Sequence, residues 1–183
     1  GATVMLIESS AARCDQVQRD GLTVSPRLPS IGHRPLAVRP AVLVRSLEEL
    51  LDHAPEALFI CTKTWSLKHL LPQLAKVLCP ETLVVSFQNG IGLEDELAEH
   101  FPAPQVARGI VNYAGHLDPL NGHVTLAWFN RPNYLGPMTE AAAGGSYVAR
   151  WTTYHVVPLV KAIKEALNHR GFLMIGQGRG HTH

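Results

Sequence analysis

The sequence has little net charge, no long apolar run and no paired set of cysteines. It carries 16 lysines and arginines against 15 aspartates and glutamates, a net charge of +1 over 183 residues. No excess of either sign therefore favours nucleic acid or a membrane surface as a partner. No apolar run approaches the ~20 residues of a membrane span, and no secretory leader is recognisable. Three dispersed cysteines, Cys14, Cys61 and Cys79, are typical of free thiols in a reducing compartment. We expect a cytoplasmic protein whose partner is a small molecule or another protein.

The sequence also lacks the residue spacings of common catalytic and metal sites. Ten histidines are scattered, and none forms the i, i+4 pair of a helical zinc site, so we predict no metal site. No nucleophile-elbow motif supports a Ser-His-Asp arrangement. The acidic residues that follow the central glycine turn are interpreted as an exposed helix face near a favourable dipole rather than as catalytic carboxylates: Glu94, Asp95, Glu96 and Glu99.

What the sequence does contain is a series of short apolar strands that end in polar residues. The clearest runs from 82 to 87 and leads through Gln88, Asn89 and two nearby glycines into an amphipathic acidic segment. This pattern predicts a buried parallel strand that delivers an amide to a helix N-terminus. Polar residues end the other strands in the same way: Glu8 and Ser9, Thr62 and Lys63, and Asn112 and Tyr113.

Helical patterns alternate with these strands. Residues 11–20 follow a serine cap and close at Gly21. Ser46 and Glu49 have the spacing of a capping box at the start of a short helix. Leucines from 67 to 78 repeat with a helical period, and Pro72 predicts a kink or a late start. A last helix is predicted over 156–169, before a strand over 172–175.

The alternation predicts an α/β fold, a Rossmann-like doubly wound and mostly parallel sheet. We expect the strands over 22–24 and 35–38 to pair, and 122–128 to form a C-terminal β-hairpin with 133–136. Ligands bind at the carboxyl ends of the strands in such sheets. One acid, one amine and several amides and hydroxyls are therefore expected to meet at one edge.

The chain opens at what resembles the second strand of a dinucleotide-binding fold, without a G-x-G-x-x-G unit before it. We therefore expect the sheet to be incomplete at the N-terminus. Residues 172–178, an apolar strand followed by G-x-G, offer a permuted first strand as an alternative. We favour a last strand with a glycine-rich tail, because no helix follows to bind phosphate.

Taken together, several landmarks resemble the ketopantoate reductase (2-dehydropantoate 2-reductase) family over roughly residues 1–175: 1–7, 18–22, 61–65, 84–92, 109–115 and 134–137. The resemblance implies NAD(P)H-dependent reduction of a 2-keto acid, 2-dehydropantoate, to a 2-hydroxy acid in pantothenate synthesis. It implies that 1–175 form the NAD(P)-binding domain and that 176–183 are a glycine-rich tail. The family's catalytic residues lie in a helical C-terminal domain, so we expect none within this chain, which would be a fragment of such an enzyme.

The resemblance also assigns ligand roles to single positions. Lys63 matches a lysine beside cofactor and substrate, and Asn89 matches an asparagine that contacts the nicotinamide side and the substrate. Ala114 falls where the family contacts cofactor through its backbone. Glu8 stands where NADPH-preferring members carry a basic residue, and a carboxylate there favours NAD because it repels a 2′-phosphate. Arg13 could compensate, so NADP stays open as the cofactor.

A second hypothesis is a non-catalytic α/β binding or dimerisation module derived from this family. A sheet without its first strand would expose two unpaired apolar edges. A homo-oligomer could cover them.

Overall fold

A computed structural model of the protein describes residues 3–26, 34–90, 92–110, 113–118, 120–129, 133–137 and 174–175. The chain divides into two compact units. Unit 1 comprises Gly1–Leu50 and Asn112–Arg131, and unit 2 comprises Leu51–Val111 and Pro132–His183. The predicted helix over 156–169 lies outside the described residues.

The described part of unit 1 contains one α-helix, six strands and the first three residues of a 3₁₀ helix that continues into unit 2. In chain order these are β1 (Met5–Ile7), α1 (Ala11–Asp20), β2 (Leu22–Pro26), β3 (Leu36–Val38), β4 (Val42–Val44), the 3₁₀ helix Glu48–Asp52, β8 (Tyr113–Asp118) and β9 (His123–Phe129). β1 pairs in parallel with β4, and the other strands form a sheet in the order β3-β2-β9-β8. β2 and β3 pair with each other, as predicted, and they are antiparallel.

Helix α1 has the ends that the sequence predicts. The Ser10 side chain accepts a hydrogen bond from the backbone N–H of Arg13 at 3.4 Å, and Gly21 follows the last turn. The guanidinium of Arg39 donates to the carbonyls of Gln18 and Arg19, both at 3.1 Å, so it satisfies acceptors that a helix C-terminus leaves open. One bond of the predicted capping box is present as well: Glu49 Oε1 accepts from the backbone N–H of Ser46 at 2.9 Å, ahead of a 3₁₀ helix.

Unit 2 contains a sheet in the order β11-β10-β7-β6-β5, with helices between its first three strands in sequence. Its elements are β5 (Ala57–Ile60), a 3₁₀ turn (Thr64–Ser66), α2 (Leu67–Val77), β6 (Leu83–Ser86), α3 (Leu93–Ala98), a second 3₁₀ turn (Ala103–Gln105), β7 (Val106–Ile110), β10 (Asn133–Pro137) and β11 (Met174–Ile175). β5, β6 and β7 are mutually parallel, and β10 is antiparallel to β7. α2 begins at Leu67 after a 3₁₀ turn and continues through Pro72. These parallel strands with intervening helices confirm the mixed α/β class.

Two strand predictions differ from the structure. A hairpin is present, but β9 pairs with β8 rather than with β10, which pairs with β7. The reason is a local turn, in which the Asp118 side chain accepts from the backbone N–H of Leu120 at 2.9 Å and from Asn121 Nδ2 at 2.8 Å. The strand predicted to end at Tyr113 ends as β7 at Ile110, because Tyr113 begins the β8 half of that hairpin.

Close packing in unit 2 generates a stability prediction at Gly109. A Cβ atom added there would overlap the ring of Phe87, which itself lies 5.2 Å from the ring of Phe59 between centroids. We expect Gly109→Ala to lower the free energy of unfolding by about 1 to 3 kcal/mol, the usual cost of overpacking. Urea denaturation measures this loss. Phe87→Ala removes the obstacle, so Gly109→Ala should cost much less in that background; additive costs would contradict the overlap.

Candidate functional site

The candidate site in unit 2 lies where β5 and β6 end. The two strands run in parallel with Ile60 opposite Ser86, so the loops that follow them start side by side. Lys63 lies in the first loop and Asn89 in the second, and both residues are exposed. Their side chains are therefore available to a ligand at the carboxyl edge of the sheet.

A buried glutamine connects these two loops. Gln88 is only 5% exposed, and its Nε2 donates to the Thr62 carbonyl at 2.9 Å and lies 3.3 Å from Thr62 Oγ1. Its Oε1 accepts from the Ser86 hydroxyl at 3.5 Å. Both ends of the amide thus have partners, which a buried amide requires.

Ser66 fixes the backbone on the other side of Lys63. Its Oγ lies 2.7 Å from the Lys63 carbonyl and 2.8 Å from Thr62 Oγ1. Because a hydroxyl carries a single hydrogen, Ser66 can donate to the carbonyl while it accepts from the Thr62 hydroxyl. The Ser66 backbone N–H also donates to the Lys63 carbonyl at 3.0 Å.

The turn after Asn89 is stabilised from β7. Arg108 donates from Nη2 to the Gly90 carbonyl at 2.5 Å. Gly92, the residue before α3, has φ +79°, a left-handed conformation that glycine adopts without steric cost. Asn89 is thus followed by a backbone carbonyl that Arg108 of β7 holds and, before α3, by a glycine in a left-handed conformation.

Glu8 lies in unit 1, between β1 and α1. Its Oε1 accepts from the backbone N–H of Ser10 at 2.9 Å, and its Oε2 forms an ion pair with Arg13 at 3.5 Å. The thiol of the buried Cys14 donates to the Glu8 carbonyl at 2.9 Å. The Glu8 carboxylate is therefore set at the start of α1, with 20% of its side chain exposed.

Ala114 also belongs to unit 1, in strand β8. It pairs with Trp128, and the ladder between β8 and β9 shifts register between Ala114 and Gly115. A register shift of this kind interrupts regular backbone pairing.

The structure thus brings two of the four proposed site residues onto neighbouring loops. Lys63 and Asn89 follow adjacent strands of unit 2, whereas in unit 1 Glu8 follows a strand of one sheet and Ala114 lies in a strand of another. Asn112 lies outside the described residues. The sequence marks Gln88 as a polar residue at the end of a strand, but it does not indicate the contacts that Gln88 and Arg108 make.

Among the residues that the structure describes, no helix has the length and apolar character needed to cross a bilayer. The same residues include no group of three or more histidine, cysteine or acidic side chains arranged to hold a metal ion.

Comparison with known proteins gives a family match and a shared fold. The family model of ketopantoate reductase PanE/ApbA matches residues 1–140. A 2-dehydropantoate 2-reductase from Methylococcus capsulatus is similar with a TM-score of 0.71 and 22% identity, over 96% of this chain and 49% of that one. D-mandelate dehydrogenase, solved with NADH and anilino(oxo)acetate, is similar with a TM-score of 0.68 and 21% identity, over 99% of this chain and 51% of that one. The chain thus spans about half the length of these solved structures.

A separate short match involves a different protein. Over 34 residues, 19% of the chain, the sequence is 59% identical to 2-oxoglutarate synthase subunit KorB of Methanothermobacter thermautotrophicus, and the match covers 12% of that protein. So small a share of either chain carries no conclusion about function.

Cys61 precedes the Lys63 loop and generates a prediction about pH. Desolvation raises the pKa of the Cys61 thiol above its ordinary value. Because the thiolate is the reactive form, we expect iodoacetamide at about pH 8 to alkylate Cys61 more slowly than glutathione. The rate at Cys61 should keep rising with pH after that of glutathione has levelled off. Peptide mass spectrometry measures both rates, Cys61→Ser identifies the peptide, and equal rates for the two thiols would refute the expectation.

Proposed function

The chain belongs to the ketopantoate reductase PanE/ApbA family, and from that membership we propose that it supplies the nicotinamide-cofactor-binding part of an NAD(P)H-dependent oxidoreductase. The proposed reaction is reduction of a 2-keto acid, 2-dehydropantoate, to the 2-hydroxy acid. The observation that carries the proposal is the pair of exposed residues, Lys63 and Asn89, on adjacent loops at the carboxyl edge of β5 and β6. We place the activity in the cytoplasm, where Cys14, Cys61 and Cys79 would remain reduced.

The chemistry of these side chains fits such a cofactor and substrate. The Lys63 ammonium can neutralise a phosphate or a carboxylate, and the Asn89 amide can donate to and accept from a carboxamide or a hydroxyl. When bound, the cofactor would supply a hydride. The residues of this chain would bind and orient the reactants, which is the contribution that proteins make to cofactor chemistry.

We further propose that NADH is preferred over NADPH, because Glu8 places a carboxylate at the end of β1. A free ribose diol can donate hydrogen bonds to this carboxylate, whereas a 2′-phosphate would be repelled by it. The guanidinium of Arg13 already forms an ion pair with Glu8, so we do not expect Arg13 to reverse the preference for NADH. Ala114 would contribute backbone contacts at the register shift in β8.

Binding measurements on the full chain test the site. We expect Lys63→Ala and Asn89→Ala each to raise the Kd for the preferred dinucleotide about tenfold or more, the usual cost of losing a hydrogen bond to a charged or buried ligand group. Fluorescence titration with NADH and with NADPH gives both constants. Lys76→Ala is the matched control, because Lys76 is an exposed lysine in the last turn of α2 and should leave Kd unchanged. A wild-type chain that binds neither dinucleotide would refute the proposed function.

Cofactor preference is tested at Glu8. We expect wild type to bind NADH more tightly than NADPH, and Glu8→Gln to shrink that ratio about fivefold or more, because the repelling charge is removed. Asp15→Asn is the control: Asp15 also pairs with an arginine, at 2.7 Å from Arg45, yet it lies within α1 rather than at the end of β1. Equal or tighter binding of NADPH by wild type would show that the preference is wrong.

A further inference from the structure

We propose that Gln88 is a positioning residue whose side-chain amide sets the spacing between the loop that carries Lys63 and the turn that carries Asn89. Its effect on cofactor binding rests on the proposed function. The connection itself does not, because it consists of contacts within the protein.

The strand ladder ends just before these loops. The last backbone hydrogen bond of the ladder between β5 and β6 runs from the Phe87 N–H to the Ile60 carbonyl at 3.0 Å. Beyond it, in the described part of 61–66 and 87–90, the hydrogen bonds between the two loops come from Gln88 Nε2 to Thr62. The loops would otherwise be linked only through the strands behind them.

The chemical identity of Gln88 matters to this role. An amide can donate to the Thr62 carbonyl and at the same time accept from the buried Ser86 hydroxyl, so a single side chain serves both groups. Thr62 is followed directly by Lys63, and Gln88 is followed directly by Asn89. If Thr62 and Gln88 move relative to each other, Lys63 and Asn89 therefore move with them, because each is only one residue away from a partner in this hydrogen bond.

Gln105 provides a close control within the same sheet. It is 4% exposed, and its Nε2 donates to the Cys79 carbonyl at 3.2 Å. Like Gln88, it is a buried glutamine that holds a loop carbonyl. Gln105 comes before β7, however, so it lies at the edge of the parallel strands opposite to Lys63 and Asn89.

The experiment compares Gln88→Met with Gln105→Met in the full chain. Methionine keeps the approximate volume and removes the amide, so both variants should lose thermal stability. We expect only Gln88→Met to raise the Kd for NADH, about fivefold or more. It should also speed hydrogen–deuterium exchange in peptides that cover 61–66 in the absence of cofactor, a local effect that Gln105→Met should not produce.

A mutant cycle tests whether Gln88 acts through Lys63. In the Gln88→Met background, Lys63→Ala should raise Kd by a smaller factor than it does in wild type, because the lysine is no longer held in place. Gln88→Asn is the second variant if Gln88→Met does not fold; it keeps the amide but is one methylene too short for the same reach, and the same binding and exchange changes are expected.

Three outcomes would overturn the proposal: equal shifts in Kd for the two methionine variants, an unchanged Kd together with unchanged exchange in 61–66, or an undiminished effect of Lys63→Ala in the cycle. If wild type binds no dinucleotide, the proposed function fails and the exchange data alone decide the role of Gln88. Faster exchange in 61–66 for Gln88→Met but not for Gln105→Met would then support it, and equal exchange would refute it.

Discussion

The arrangement of unit 2 depends on the burial of β6. All four of its residues are buried, and a buried strand must satisfy its backbone N–H and C=O groups within the sheet because no water reaches them. β5 on one side and β7 on the other supply these partners, both in parallel. Since parallel strands end at the same edge, the loops with Lys63 and Asn89 become neighbours. The position of the candidate site thus follows from the burial and pairing of β6, although neither Lys63 nor Asn89 lies within that strand.

Burial at the end of β6 carries this constraint into the loops. Ser86 and Gln88 are polar, and an unsatisfied buried polar group costs about 1 to 3 kcal/mol. The Gln88 amide avoids that cost by accepting from Ser86 and by donating across to Thr62, so the contact that satisfies its nitrogen also sets the spacing of the two loops. An apolar residue at 88 would leave the Thr62 carbonyl without its side-chain donor. Local stability and the geometry of the candidate site are therefore coupled.

The parts of the structure that could be predicted from the sequence are those with local signals. Helix α1 is bounded by Ser10 and Gly21, and the short apolar runs that became β5 and β6 end in polar residues. The predicted pairing of β9 with β10 was wrong, because β9 forms a hairpin with β8 through the turn at Asp118 and β10 pairs with the more distant β7. Lys63 and Asn89 could be placed near strand ends from the sequence, and each is the third residue after its strand. The contacts of Gln88 and Arg108 could not be predicted, because a sequence pattern does not give the direction of a side chain across a sheet edge.

In unit 1, the contacts that complete the start of α1 also affect the proposed choice of cofactor. The backbone N–H groups at the start of α1 form the positive end of its dipole, which attracts anions. Glu8 already supplies a carboxylate there, with Oε1 on the Ser10 N–H and Oε2 beside Arg13. A 2′-phosphate would have to compete with this internal anion for the same donors, whereas a neutral ribose diol would add donors to it. In the proposed function, the carboxylate that completes the start of α1 therefore also disfavours NADPH.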